Sequence, residues 1–186
     1  EETDSGLQID IVDSSSRFLP RDERNLVYRS MCAVFDLCGY RPRGLHITLE
    51  NNVPVTRGLG SSSAGIVGGL TAGNALAGNP LSRDDILNLA ARIEGHADNV
   101  TPAVMGGFTV NVCGRRKISY VKQPLHGGLR FAAIIPEFKL ATKKSRSILP
   151  SFVPHRDAVY NAGHSALLAA SLVSGDYENI RAAIGD

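Results

Sequence analysis

Between an alternating apolar stretch, Leu45 to Leu49, and a segment of small residues, Ala64 to Ala77, stands Arg57-Gly58-Leu59-Gly60-Ser61-Ser62-Ser63-Ala64-Gly65. The alternation predicts a half-buried strand and the Gly/Ala segment predicts a helix. The chain therefore has to turn from strand to helix through two glycines and three serines, which is unlike a flexible Gly/Ser linker. Gly58 and Gly60 permit positive φ and close approach of a ligand to the backbone. Successive backbone N–H groups and the positive end of the following helix then form a cradle for an anion, a phosphate above all. Two other readings stay open at this point, a capped structural turn and a serine nucleophile. A Walker A loop would need Gly-Lys-Ser/Thr, and no lysine is present. A nucleophile elbow would need Gly-x-Ser-x-Gly, whereas Gly60-Ser61-Ser62-Ser63 is followed by Ala64.

The surrounding pattern predicts an α+β fold. Leu7 to Val12 alternates and reads as a strand. Asn25 is placed to cap a helix whose buried side is Leu26, Val27, Met31, Val34, Phe35 and Leu37, with Gly39 as its stop. His46 falls on the polar phase of its strand and reads as exposed. Gly65, Gly68 and Gly69 would let the Gly/Ala helix approach a sheet closely. Ser82 caps a helix to Ile93, and Gly95 ends it. A short helix is expected over Asp98 to Met105, then strands over Phe108 to Cys113 and Lys117 to Lys122, joined as a hairpin through Gly114-Arg115-Arg116. Leu129 to Ile135 is a continuous apolar run and reads as a buried strand. Helices are expected around Thr142 to Leu149 and Arg156 to Val173, and Pro124 to Gly128 as a domain boundary.

A second polar concentration follows the loop. Glu94-Gly95-His96-Ala97-Asp98-Asn99-Val100-Thr101-Pro102-Ala103 places an acid, an imidazole, a second acid and an amide within six positions. Singly they read as a solvated helix end, a turn residue and an N-cap. Together, between Gly95 and Gly106-Gly107, they suit a site in which one acid holds a divalent cation and the other, with the amide, binds a polar substrate. A zinc centre lacks a second His or Cys at ligand spacing.

Composition narrows the classes. Of 186 residues, 43% are apolar and 20% charged, with a formal net charge of +2, which gives no reason to expect nucleic acid. The short basic runs at Arg115–Lys117 and Lys143–Arg146 lack interleaved aromatics. Three widely spaced cysteines, Cys32, Cys38 and Cys113, argue for a reducing, cytoplasmic setting over a disulfide framework. No apolar run reaches the roughly 20 residues that span a bilayer.

The stretch Pro54-Val55-Thr56-Arg57-Gly58-Leu59-Gly60-Ser61-Ser62-Ser63-Ala64 resembles the Pro-x-x-x-Gly-Leu-Gly-Ser-Ser-Ala phosphate loop of the GHMP kinase superfamily. The His96-x-Asp98-Asn99-x-x-Pro102-Ala103 run resembles the homoserine-phosphorylating branch of that superfamily. The resemblance implies a two-domain fold, a nucleotide domain like the second domain of ribosomal protein S5 at 1–126 and the start of a ferredoxin-like domain at 127–186. It implies ATP on the residues from Pro54 to Ala64, with Mg²⁺ held by Ser62 and Glu94. L-homoserine would meet Asp98 through its ammonium and Asn99 at its hydroxyl, giving O-phospho-L-homoserine for threonine biosynthesis. Thr142-Lys143-Lys144-Ser145-Arg146 resembles the family's Thr-x-x-x-Arg segment, which would put Thr142 near the transferred phosphoryl group and Arg146 on the substrate carboxylate. Asn25 would contact adenine, or act only as a cap. Oligomeric state is open, a homodimer among the options. The family's amino-terminal Pro-Ala-Thr segment and carboxy-terminal Gly-Ser-Gly-Pro loop are not in these residues, so the chain reads as the middle of a longer protein and is expected to be inactive alone. Another small-alcohol kinase of the superfamily, or an inactive nucleotide-binding fragment, are the competing readings.

Overall fold

The computed structural model describes residues 1–13, 16–135 and 148–185. Its first sheet holds β1 (Glu2–Thr3), β2 (Gly6–Ile11) and β3 (Gly44–Leu49) in the order β1-β3-β2. β2 and β3 run parallel, with Ile9 opposite Ile47, so the chain must cross over between them. The crossover is helix α1 (Leu26–Cys38). Alternation puts Ile9, Ile11, Leu45 and Ile47 on one sheet face, where Met31 and Phe35 of α1 close a core cluster. On the other face His46 is half-buried and its Nε2 lies 2.8 Å from Asp10 Oδ2. The expectation of a merely exposed histidine missed this partner because it comes from the neighbouring strand.

Local chemistry sets the ends of α1. Asn25 Oδ1 accepts hydrogen bonds from Val27 N at 2.9 Å and Tyr28 N at 3.4 Å, and Gly39 stops the helix at a φ of 68°. Ser30, Met31, Val34 and Phe35 are buried, but Leu37 is 60% exposed, because its position falls at the margin of that i, i+4 stripe.

Helix α2 (Ser61–Leu76) crosses α1 at very short range. A Cβ added at Gly69 would overlap Val27 O and lie 2.8 Å from Ser30 Cβ, and one at Gly73 would stand 3.0 Å from Met31 Cα. The expected small-residue contact is therefore made with a helix rather than a sheet. It uses Gly65, Gly69 and Gly73, which share one face at i, i+4 spacing, whereas a Cβ at Gly68 would meet nothing within 4 Å.

The opposite side of α2 buries Ile66 and Leu70 in a second core cluster with α3 (Arg83–Glu94) and α4 (Val100–Met105). Ser82 and Asp85 form a reciprocal capping box at the start of α3, and those bonds hold the Asp85 carboxyl below its usual range. Gly95, at a φ of 86°, ends the helix. α4 begins two residues later than expected, with Asn99 in the N-cap position. β4 (Phe108–Cys113) and β5 (Ile118–Gln123) form the expected antiparallel hairpin, with Val110 opposite Val121. Ile118 and Tyr120 turn onto the second cluster.

Two helices follow, α5 (His155–Ser174) and α6 (Tyr177–Ala183). Residues 129–135 form no strand, and Phe131 and Ile134 are 73% and 94% exposed. An apolar run becomes a strand only beside a backbone that can satisfy its N–H and C=O groups, and none of the described strands pairs with it. Of the helix expected around 142–149, residues 142–147 lie outside the described residues, and Ile148 and Leu149 are not helical. The whole is an α+β arrangement. Among the described residues no helix is long and apolar enough to cross a membrane.

Candidate active site

The loop of residues 50–60 leaves β3 and enters α2 at Ser61. Gly58 and Gly60 sit at φ of 71° and 76°, the left-handed region that a Cβ disfavours. Thr56 also adopts a positive φ, 59°, which strains a β-branched residue. Gly60 is the N-cap of α2 and contributes no side-chain cap. Ser61 and Ser62 stand in that first turn half-buried and exposed, and Ser63 is fully buried. Pro54, Val55, Arg57 and Leu59 lie along the loop, and Ala64 follows in α2.

The turn at Gly95 directs the end of α3 toward this helix start. Ser62 Oγ and Ser63 Oγ both donate to Glu94 Oε1, the second at 3.1 Å. Glu94 is no solvated helix end, since only 11% of its side chain is exposed. His96 Nε2 lies 3.7 Å from the same carboxylate oxygen, and His96 Nδ1 pairs with Asp98 Oδ1. Asp98, 61% exposed, also accepts from Asn99 N at 3.0 Å. Asn99 lies against the loop, its Oδ1 3.6 Å from the place a Cβ would take on Gly60. Glu94 and Asn99 are thus gathered around Gly60 to Ser63, with Asp98 linked to them through His96 and the Asn99 backbone.

Beside the helix start lies a cavity of about 780 Å³, a volume that suits a small organic ligand. Ala64, Gly68 and Ala72 of α2 form one wall, and Ile47, Leu49 and Val53 another. Asn25 lines it as well, but its side chain is engaged as a cap and donates through Nδ2 to Pro20 O at 2.7 Å. Thr142 and Arg146 lie outside the described residues.

A comparison with known families matches residues 25–107 to the model described as "GHMP kinases N terminal domain". The matched span encloses the capped helix, the loop and the Glu94-to-Asn99 run. Over residues 25–107 the chain is similar to a GHMP kinase N-terminal domain. The chain is 46% identical over 186 residues to a protein named homoserine kinase from Petrotoga mobilis, covering all of this chain and 61% of that one. It is 45% identical over 188 residues to one of the same name from Caldicellulosiruptor bescii, covering all of this chain and 60% of that one. A crystal structure of homoserine kinase from Cytophaga hutchinsonii superposes with a TM-score of 0.81 at 31% identity, covering 100% of this chain and 61% of that chain. The chain thus spans about 60% of the length of the curated relatives it matches.

Within the matched region, three site features escape sequence inspection. Ser63 shares the Glu94 carboxylate with Ser62, His96 stands between Glu94 and Asp98, and Thr56 takes a glycine-like conformation. The His96 contacts had a signal in the sequence, an imidazole between two acids at i, i+2 spacing on either side. Thr56 had none.

Proposed function

We propose that the full-length protein containing this chain transfers the γ-phosphoryl group of ATP to the side-chain hydroxyl of L-homoserine. The observation that carries this reading is the convergence of Glu94 and Asn99 on the serine-rich start of α2, with Asp98 tied to them through His96 and the Asn99 backbone. The names of the three relatives above, each a homoserine kinase, support the choice of acceptor. The N–H groups from Gly58 to Ser63 and the dipole of α2 would receive the ATP phosphates. The cavity beside them would take the nucleoside.

One carboxylate and one hydroxyl, Glu94 and Ser62, are hard oxygen donors that fit Mg²⁺, which keeps its remaining positions for water and phosphate oxygens. When bound, Mg²⁺ would neutralise charge on the ATP phosphates. Asp98, exposed enough to meet a ligand, would pair with the substrate ammonium. Asn99, whose amide makes no capping bond to α4, would orient the hydroxyl. An amide is no base at neutral pH, so its contribution is alignment, which a loose phosphoryl-transfer transition state rewards. Thr142 near the phosphoryl group, Arg146 on the carboxylate, and the division into domains at 126/127 belong to the same proposal and rest on the sequence resemblance.

A panel of acceptors tests it. With ATP and Mg²⁺, the full-length protein is expected to use L-homoserine with a kcat/KM about 100-fold or more above that for mevalonate, galactose or L-serine. Arg146→Ala is expected to raise KM for homoserine about 100-fold through loss of a two-pronged carboxylate contact. Equal use of the acceptors would overturn the substrate assignment.

A further inference from the structure

We infer that Asn51 is a positioning residue for the nucleotide, holding together the two loops that border the cavity. The inference rests on the reading that the cavity takes the nucleoside. Eleven residues, 50–60, cross from β3 to α2 without regular structure, two of the three non-helical φ reversals among them at glycine. A loop of that kind orders the phosphate cradle only if something fixes its beginning.

Asn51 does so with its side-chain amide and its backbone N–H. Its Nδ2 donates to Ser16 Oγ at 2.8 Å and to Val53 O at 2.9 Å, and its Oδ1 accepts from Val53 N at 3.2 Å. Its backbone N donates to Asp13 Oδ2 at 3.1 Å, and the other oxygen of that carboxylate accepts from Ser16 N at 2.7 Å. The partners are 35 and 38 residues away and belong to the turn that follows β2. Ser16 is fully buried, so its hydroxyl has no water to replace Asn51. From Ser16 the turn continues to Leu19, whose N donates to Ser16 O at 2.9 Å. Leu19 lines the cavity, and so do Asn51 and Val53.

The strut therefore joins the Leu19 wall to the Val53 wall and sets where the loop starts. Its bonds run to the turn after β2 and to Val53, whereas Glu94 is bonded by Ser62 and Ser63 at the far end of the loop. Its loss should loosen the seat of the nucleoside and leave the acceptor side in place. That asymmetry distinguishes positioning from a general contribution to folding.

Initial rates with the full-length protein, varying ATP and homoserine separately, provide the test. Asn51→Ala is expected to raise KM for ATP about tenfold, while kcat and KM for homoserine stay within about twofold. Ser16→Ala, which removes only the acceptor hydroxyl, is expected to raise KM for ATP by about threefold and to add nothing to Asn51→Ala in the double variant. Gly68→Leu serves as the control for the cavity, because a side chain there meets open space and points into it. It is expected to raise KM for ATP more than Asn51→Ala does. If Gly68→Leu weakens ATP and Asn51→Ala does not, the strut is overturned and the cavity reading stands. If neither changes KM for ATP, both fall. A parallel rise in both Michaelis constants with a lowered melting temperature would make Asn51 a structural residue only and overturn the inference.

Discussion

Glu94→Gln in the full-length protein is expected to lower kcat by about 100- to 1000-fold, the scale of losing one charged stabilising group in a water-poor site. Glutamine keeps the shape of the side chain, and its Oε1 can still accept from Ser62 or Ser63, so the turn after α3 should hold. What disappears is the anionic oxygen. Mg²⁺ is bound through few protein ligands, and a neutral amide is a poor substitute for the carboxylate. The residual activity should require a much higher Mg²⁺ concentration for half-maximal rate. The control is the circular dichroism spectrum, expected to be unchanged. Wild-type kcat with wild-type Mg²⁺ dependence would remove Glu94 from the site.

Gly69→Val is expected to destabilise the protein by about 3 kcal/mol or more, the upper range for overpacking a close contact. The added Cβ would overlap the carbonyl oxygen of Val27 and crowd Ser30 Cβ. Backbone cannot yield as the tip of a flexible side chain can, so α1 and α2 would have to separate along their whole crossing. The start of α2, with Ser61 to Ser63, would move with them. Gly68→Ala, one position away, faces open space and is expected to be neutral or stabilising by up to about 1 kcal/mol, the ordinary Gly-to-Ala gain in a helix. Urea unfolding of the two variants measures the contrast. Equal midpoints would contradict the helix-on-helix packing.

That contrast also shows where the chain was legible. The caps at Asn25 and Ser82, the stops at Gly39 and Gly95, and the β4–β5 hairpin depend on residues within a few positions, and sequence alone places them. The loop from Gly58 to Ser63 was legible for the same reason. Which glycines of α2 meet a neighbour was not, because the sequence shows that the helix has small faces but not which element lies against them. Distance along the chain hid the Asn51–Ser16–Asp13 ties and the bond of Ser63 to Glu94, whereas the family resemblance had already paired Ser62 with Glu94. Leu129 to Ile135 failed differently. Its apolar run satisfies the composition of a buried strand, but pairing is a property of two segments, and the described strands leave it without a partner.

The central claim is that a phosphoryl group passes from ATP, held at the start of α2, to an amino-acid hydroxyl held by Asp98 and Asn99. Phosphorus NMR of the full-length protein with ATP, Mg²⁺ and L-homoserine tests it most directly. The account predicts a phosphate monoester coupled to the terminal methylene protons of homoserine, formed in equal amount with ADP. Release of inorganic phosphate without the ester, or no consumption of ATP, would contradict it.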